Sequence, residues 1–237
     1  MEKVRAYIDG FSLYKGALEK RPQFKWLDLP TLCQARFPDS YVEKIYYFTA
    51  RIKSRFVGDT AQHRQHKYLR VLKDQGIIIV EGKFLKDSDW LRQFGPDLDT
   101  VLQPKLRNKF GIAQREISDV FKNSAPDLPK SLVWKYGEKG SDVNLASYLL
   151  RDVYTSGIEG ALVISGDSDL ATPIRISREQ GVFMHTLHPR KGAGSAELKS
   201  ASSRFEELHI SWLAGAQLQR SYLTRSGGNI VRPDEWG

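Results

Sequence analysis

The stretch ALVISGDSDLATPIRISREQG, residues 161–181, contains a strand, a turn and a helix in that order. Its apolar run ends at Ser165, and continuous apolar residues are typical of a strand that is buried on both faces. Two acids follow, Asp167 and Asp169, and a Thr-Pro pair then begins a helix that Gly181 ends. A buried strand followed by a helix is the repeating unit of α/β proteins.

Short apolar runs of the same kind recur along the chain, with helical patterns between them. They cover residues 3–8, 44–48, 77–80, 131–136, 161–165 and 182–187. Their apolar residues are continuous rather than alternating, which favours parallel strands covered on both faces. The sequence therefore predicts an α/β fold, a three-layer sandwich with a mainly parallel central sheet.

Two helices can be placed from their caps and spacing. Asp59 or Thr60 can cap a helix from about residue 60 to 75, which Gly76 ends. A second helix is predicted from Asp142 onward, because apolar residues follow at 145, 146, 149, 150 and 153, which is helical spacing.

The domain organisation is predicted from changes in composition. Residues 82–130 are polar and interrupted by four prolines, so we expect an insertion at about 82–130 rather than a second domain. Residues 1–213 then form one domain. Within its last part, a loop rich in Gly and Ser precedes a helix, and residues 214–237 are expected to form a C-terminal tail that packs on the domain.

Composition limits the class of protein and its partners. The chain has 237 residues, 36 Lys and Arg against 28 Asp and Glu, and a net charge of +8, which favours polyanionic partners. Its single cysteine, Cys33, excludes an intramolecular disulfide and a zinc site built of several cysteines. Because no apolar run approaches the length of a membrane span or a secretory signal, we expect a soluble, cytoplasmic protein without a membrane partner.

Four carboxylates are predicted to meet at one edge of the sheet. In parallel α/β sheets, ligands bind outside the carboxyl ends of the strands. Carboxylates gathered there repel one another unless a cation offsets their charge, and Mg²⁺ and Mn²⁺ prefer such oxygen ligands. This pattern indicates metal-assisted phosphodiester chemistry. The four are Asp9, Asp142, Asp167 and Asp169.

Each acid also has a purely local interpretation. Asp9 and Gly10 form a common turn pair, and Asp142, or Ser141 beside it, could be a helix N-cap. An aspartate of the GDSD segment could cap the helix that follows. The functional interpretation depends on the whole set of acids. A phosphatase of the haloacid-dehalogenase type would need an acid two residues after Asp9, and Phe11 occupies that position, which disfavours this class.

Four segments together resemble a known family. They are YIDGFSLY (7–14), KGSDVNLASYLL (139–150), LVISGDSDLATPI (162–174) and GGNIVRPDEW (227–236). The combination resembles the NYN family of PIN-like nucleases, in particular its LabA-like (DUF88) branch. The resemblance spreads from residue 4 to the tail, outside the expected insertion.

This resemblance implies a Rossmann-like (PIN-like) fold, an acidic pocket that binds Mg²⁺ or Mn²⁺, and cleavage of RNA. It implies that the four acids are both the catalytic residues and the metal ligands, and that Lys139 lies near phosphate. The sequence is therefore interpreted as a metal-dependent endoribonuclease that hydrolyses RNA phosphodiester bonds.

Two positions depart from the family pattern. Ser12 occupies the place of an asparagine, although its hydroxyl can still donate and accept a hydrogen bond. Tyr148 stands where a further aspartate is common and cannot replace a carboxylate on a metal. The alternative is therefore a catalytically weak or inactive module that binds nucleic acid or another protein.

Basic segments suggest where RNA would lie. Arg51, Lys53 and Arg55 follow the second predicted strand and are expected to bind the phosphate backbone, although a solvated surface is the alternative for this segment. A second loop, residues 188–195, offers Arg190 and Lys191 with nearby glycines.

Ser12 and Lys139 complete the expected nucleic-acid-binding set. Phe11, Tyr14 and Tyr148 could stack on bases or pack in the core. The expected partner is single-stranded RNA, with DNA as an alternative, and a homodimer stays open.

Overall fold

The computed structural model describes residues 3–52, 54, 58–92, 130–192 and 194–237, with side chains omitted for 84–92 and 130–138. The chain forms two compact units. One comprises Met1–Phe84 and Glu138–Gly237, and the other comprises Leu85–Gly137. The expected insertion at about 82–130 overlaps the second unit, and residues 93–129 lie outside the described part of the chain.

The described strands are β1 (Lys3–Asp9), β2 (Tyr41–Thr49), β3 (Ile78–Glu81), β4 (Lys83–Arg92), β5 (Lys130–Lys139), β6 (Gly160–Ile164), β7 (Phe183–His188), β8 (Arg204–Glu207), β9 (Ser221–Leu223) and β10 (Asn229–Val231). The described α-helices are α1 (Gly10–Leu13), α2 (Leu29–Gln34), α3 (Ala61–Asp74), α4 (Ser141–Ser156), α5 (Ala171–Glu179), α6 (Ala196–Ala201) and α7 (Ile210–Gly215). A π-helical turn (Tyr14–Leu18) follows α1 directly, and short 3-10 turns precede α2 and α5 and end the chain.

Six strands form the central sheet in the order β3-β2-β1-β6-β7-β8. Every neighbouring pair in this sheet is parallel. The α/β sandwich with a mainly parallel sheet is therefore confirmed. The strand order reverses between β1 and β6, and such a switch point is where open parallel sheets bind their ligands.

Side chains alternate between the two faces of the sheet and build a core on each. On one face, Ile8 of β1 packs in a cluster with residues of α1, α2, α3 and the C-terminal tail. On the other face, Tyr7 packs in a cluster with residues of α4, α5 and α6. The sheet is thus the middle of three layers.

One predicted strand was assigned to the wrong sheet. Residues 131–136 do lie in a strand, but this strand, β5, pairs with β4 in a separate two-stranded sheet. The sixth strand of the central sheet is instead β8, with the sequence RFEE. An apolar run identifies a strand without identifying its neighbour, and a charged edge strand carries no apolar run.

The helix predicted at about 60 to 75 is confirmed as α3. Asp59 Oδ1 accepts a hydrogen bond from the Ala61 N–H at 3.0 Å, whereas Thr60 makes no side-chain cap. Past the end of this helix, Gly76 has φ +88, a left-handed conformation that glycine adopts without strain.

The C-terminal segment contacts the rest of its unit through aromatic rings. Trp236 is buried, and its ring centroid lies 6.0 Å from that of Trp26 and 6.0 Å from that of Tyr68. Glu235 accepts a hydrogen bond from Arg64 at 2.8 Å. In the part of the chain that the structure describes, no helix combines the length and apolar character needed to cross a membrane.

Candidate active site

The candidate site lies at the switch point of the central sheet. Asp9 is the last residue of β1, and Asp167 follows the neighbouring strand β6. Helix α4 begins at Ser141 and carries Asp142 in its first turn. Three chain segments that are far apart in sequence therefore bring acids toward this edge.

Asp9 is the most buried of the four acids, at 4% exposure. Its Oδ1 accepts a hydrogen bond from the Ser12 N–H at 2.9 Å, which caps α1, and its Oδ2 accepts one from the Ser165 hydroxyl at 2.8 Å. Burial raises the pKa of Asp9 and the charge of Asp167 raises it further, although both hydrogen bonds oppose this shift. The local role of Asp9 is therefore that of a helix N-cap, and Asp9 and Gly10 do not form the turn that the sequence suggested.

Ser165 joins two of the acids. Its hydroxyl donates to Asp9 and accepts a hydrogen bond from the Asp167 N–H at 3.1 Å. Sequence reasoning gave this buried serine no role in the site. The available indication was its position, because a hydroxyl at the end of a buried strand directly precedes the acidic turn.

Ser12 connects the loops that follow β1 and β6. Its hydroxyl accepts a hydrogen bond from the Gly166 N–H at 2.8 Å, while its own N–H donates to Asp9. The hydroxyl proton of Ser12 is not needed for either contact. Through its two hydrogen bonds, Ser12 holds the loop after β1 against the loop after β6. Its expected contact with nucleic acid stays a prediction.

The Asp142 carboxylate is close enough to the other three acids to be repelled by their negative charge. The residue is exposed overall, yet neighbouring protein atoms partly remove its carboxylate from water, and this desolvation is the first cause of its raised pKa, about 6. Repulsion from Asp9, Asp167 and Asp169 raises the pKa further. The four carboxylates therefore share one electrostatic environment. The N-cap of α4 is Gly140, so the interpretation of Asp142 as the N-cap is wrong.

A 3-10 turn (Ser168–Leu170) ahead of α5 contains Asp169 and is preceded by Asp167. Asp167 is the N-cap of this turn, because its Oδ1 accepts a hydrogen bond from the Asp169 N–H at 3.0 Å. The predicted cap is therefore found one turn early, because Asp167 caps the 3-10 turn and α5 itself has no side-chain cap. Asp167 is still within electrostatic reach of Asp9 and Asp142. The side chain of Asp169 is exposed.

The donor types of the site suit Mg²⁺ or Mn²⁺, because all four acids offer hard oxygen atoms. The side chains do not form a complete ligand set as they stand. Among the residues that the structure describes, no three His, Cys, Asp or Glu side chains are arranged to hold a metal ion. Both Asp9 oxygens already accept a hydrogen bond, Oδ1 from the Ser12 N–H and Oδ2 from the Ser165 hydroxyl.

The expected RNA contacts fall into three groups. Arg51 forms a two-point ion pair with Glu81, with Nη2 to Oε1 at 2.7 Å and Nε to Oε2 at 2.8 Å, so its guanidinium is already engaged. Lys53 and Arg55 lie outside the described residues. The third group has side chains exposed to solvent and comprises Lys139, Arg190 and Lys191.

The loop after β7 lies beside the acidic turn. His188 ends β7 and is buried, and its Nδ1 lies 2.7 Å from the Arg190 carbonyl oxygen and 3.1 Å from the Arg190 N atom. A Cβ atom placed on Gly166 would lie only 2.9 Å from His188 Nε2, so this approach requires glycine. The contact brings the basic loop next to the carboxylates.

Tyr148, which stands where the family often has an acid, belongs to an aromatic cluster. Its ring meets the rings of Tyr46 and Phe48 edge-on, with centroids 5.4 and 5.7 Å apart. The Arg151 guanidinium lies 4.3 Å from its centroid. Of the two interpretations of Tyr148, core packing is therefore the one the geometry favours.

Part of the chain matches a known protein family. Residues 99–209 match the NYN domain. This match supports a place in the NYN and PIN-like superfamily, whose NYN members are generally nucleases. It includes Asp142, Asp167 and Asp169, does not extend to Asp9, and begins within the segment where we expected an insertion.

Two individual proteins are similar to this chain. A 6-hydroxy-3-succinoylpyridine 3-monooxygenase of Pseudomonas putida is 27% identical over 99% of this chain and 75% of its own length. A crystal structure of a protein of unknown function from Vibrio parahaemolyticus has a TM-score of 0.50 and 13% identity, and covers 92% of this chain and 96% of its own. This second likeness concerns the fold alone.

Replacing Ser165 with alanine is expected to destabilise the protein by about 1–3 kcal/mol at pH 7, because the buried Asp9 carboxylate loses a donor. Urea unfolding measures the change. The exposed Ser168 provides a control with the same substitution, and its replacement should have little effect. Equal losses in both variants would contradict the role given to Ser165.

Proposed function

We propose that this protein is a metal-dependent endoribonuclease of the LabA-like branch. The observation that carries the proposal is the shared environment of the acids, in which Asp9, Asp167 and Asp169 all raise the pKa of Asp142. Such a cluster is costly without a counter-ion, and a divalent cation is the partner that its oxygen atoms suit. The match to the NYN domain supports a nuclease rather than another hydrolase.

In this proposal, the chain's own residues position the substrate and the ion. Asp9, Asp142, Asp167 and Asp169 would hold Mg²⁺ or Mn²⁺, with Ser165 and Ser12 fixing the two loops that carry them. When bound, the ion supplies positive charge that offsets the acids and stabilises negative charge on phosphate oxygens. Arg190 and Lys191 would bind the RNA backbone from the adjacent loop.

A cleavage assay tests the proposal. Labelled single-stranded RNA is incubated with the protein in Mn²⁺ and in EDTA, and the products are separated on a gel. We expect cleavage in Mn²⁺ alone and strongly reduced cleavage with Asp167→Asn. Asp39→Asn makes the same change in an exposed acid that precedes the amino end of β2, and it should cleave like the wild type. Cleavage that persists in EDTA would contradict the metal dependence.

The same assay separates the enzyme from a binding module. A catalytically inactive module that binds nucleic acid or another protein would show no Mn²⁺-dependent cleavage and no effect of Asp167→Asn. Parallel reactions with single-stranded DNA decide whether the substrate class extends beyond RNA.

A second candidate function is monooxygenation. It is favoured by the similarity to the 6-hydroxy-3-succinoylpyridine 3-monooxygenase, which extends over 99% of this chain. The test is oxygen consumption with that pyridine and a reduced nicotinamide as electron donor. Consumption that requires both the pyridine and the protein would support this function, and none would exclude this substrate.

The pH dependence of the metal-free protein follows from Asp142. Its pKa of about 6 lies above the ordinary value of 3.8. Between these two pH values the folded state binds more protons than the unfolded state, so this group lowers stability as pH rises through the window. We expect an NMR titration to give a midpoint near 6, and Asp9→Asn to move it toward the ordinary value. A midpoint that Asp9→Asn leaves unchanged would contradict the shared environment.

A further inference from the structure

Two large aromatic side chains next to Asp9 are exposed to solvent. Phe11 is 49% exposed and Tyr14 is 39% exposed, although both residue types are usually buried when the core has room for them. They lie three positions apart at the start of the helical segment that follows β1, so they share one face of it. Asp9 is the N-cap of α1, the helix that carries Phe11, which ties this face to the carboxylates.

Each of the two rings has a lysine beside it. Lys15 Nζ lies 6.0 Å from the centroid of Phe11, and Lys25 Nζ lies 5.1 Å from the centroid of Tyr14. Lys25 also donates a hydrogen bond to the Tyr14 hydroxyl at 3.4 Å. Lys15 also forms an ion pair with Glu19, which lies four positions further along the chain. Exposed rings flanked by cations match the bases and phosphates of an unpaired nucleic-acid strand.

The basic loop after β7 contacts the same helical segment. A Cβ atom on Gly16 would lie 2.7 Å from Pro189 Cβ and 3.4 Å from the Arg190 N atom. The segment that carries Phe11 and Tyr14 is therefore in contact with the loop that carries Arg190.

We propose that Phe11 and Tyr14 form a stacking platform on which two bases of a single-stranded RNA lie beside the carboxylates. The platform rests on the proposed function, because it explains how the same site selects an unpaired RNA strand. Bases in a duplex are stacked on each other and cannot lie on the two rings, whereas the bases of a single strand present their faces. The neighbouring Lys25 binds the phosphate that connects them.

Binding measurements test the platform. All variants carry Asp9→Asn, so that the strand stays intact in Mn²⁺, and affinity for a short labelled single-stranded RNA is measured by fluorescence anisotropy. We expect Phe11→Ala and Tyr14→Ala each to weaken binding about tenfold, the effect of losing one stacked base. Phe11→Trp should retain affinity, because indole also stacks. Affinity for an RNA duplex should not change.

Two controls isolate stacking from other effects. Tyr154→Ala removes an aromatic ring that is 61% exposed near the far end of α4, and it should bind like the parent. A strand without bases should bind weakly and equally to all variants. The platform is overturned if Phe11→Ala and Tyr14→Ala bind like Tyr154→Ala, if they lose affinity equally for the strand without bases, or if the parent does not bind RNA.

The stacking platform and the nuclease activity can each fail without the other. Binding that depends on the two rings, together with no cleavage by the protein with Asp9 intact, would overturn the nuclease and support the platform. Mn²⁺-dependent cleavage without any dependence of RNA binding on the two rings would support the nuclease and overturn the platform.

Discussion

Replacing Asp9 with asparagine is expected to lower the rate of Mn²⁺-dependent RNA cleavage at least about a hundredfold, the scale of losing one essential electrostatic contact in an active site. Asparagine has nearly the same size as aspartate and is an equally good N-cap, so it can still accept the hydrogen bond from the Ser12 N–H. The substitution therefore removes the charge and keeps the local structure. Initial rates with a labelled single strand measure the effect.

The same substitution should not destabilise the metal-free fold. Burial and the charge of Asp167 both raise the pKa of Asp9, which means that its ionised form is disfavoured in the folded protein. Removing this charge should leave the melting temperature unchanged or raise it. Asp39→Asn serves as the matched control for both readouts. A large loss of stability with Asp9→Asn would show that the variant is less active because it unfolds, and not because its active site lacks a carboxylate.

The largest expected effect on stability is that of Asp152→Ala, a loss of about 3–5 kcal/mol, because the buried Arg5 guanidinium loses the buried one of its two acidic partners. Asp152 on α4 is 1% exposed, and its Oδ2 lies 2.9 Å from Arg5 Nη1. The same Oδ2 accepts a hydrogen bond from the Tyr7 hydroxyl at 2.9 Å, and Arg151 contacts Oδ1 at 2.6 Å. This network keeps the pKa of Asp152 below its ordinary value, and Arg151 contributes the largest lowering.

Urea unfolding measures this loss, and the second acid beside Arg5 provides the control. Glu43 Oε2 lies 2.9 Å from Arg5 Nε, but its side chain is 31% exposed. Glu43→Ala is therefore expected to cost no more than about 1 kcal/mol, as for a pair near the surface. Equal losses in the two variants would contradict the importance given to the buried pair.

Much of the fold follows from the chain's apolar runs. Strands β1, β2, β6 and β7 are largely buried, and the apolar runs within them stand out from their surroundings. The acids that end β1 and follow β6 could be placed at one edge because parallel strands have their carboxyl ends on the same side. The position of Asp142 followed from the helical spacing of the residues after it.

The remaining features depend on contacts that one segment cannot reveal. Strand β8 is short and charged, and only its pairing with β7 identifies it. Ser165 became part of the site through a hydrogen bond to Asp9, which is 156 positions away in the sequence. Arg51 was expected to face phosphate, yet its partner is Glu81 on β3, and its charge alone does not distinguish these two roles.

The most direct measurement is a crystal structure of the protein soaked in Mn²⁺, with the ion located by its anomalous scattering. We expect a peak within coordination distance of Asp9, Asp142 and Asp167, and its loss in a soak of the Asp9→Asn variant. A well-ordered site with no peak among these acids, while Mn²⁺ is bound elsewhere on the same molecule, would contradict a metal centre at this edge of the sheet.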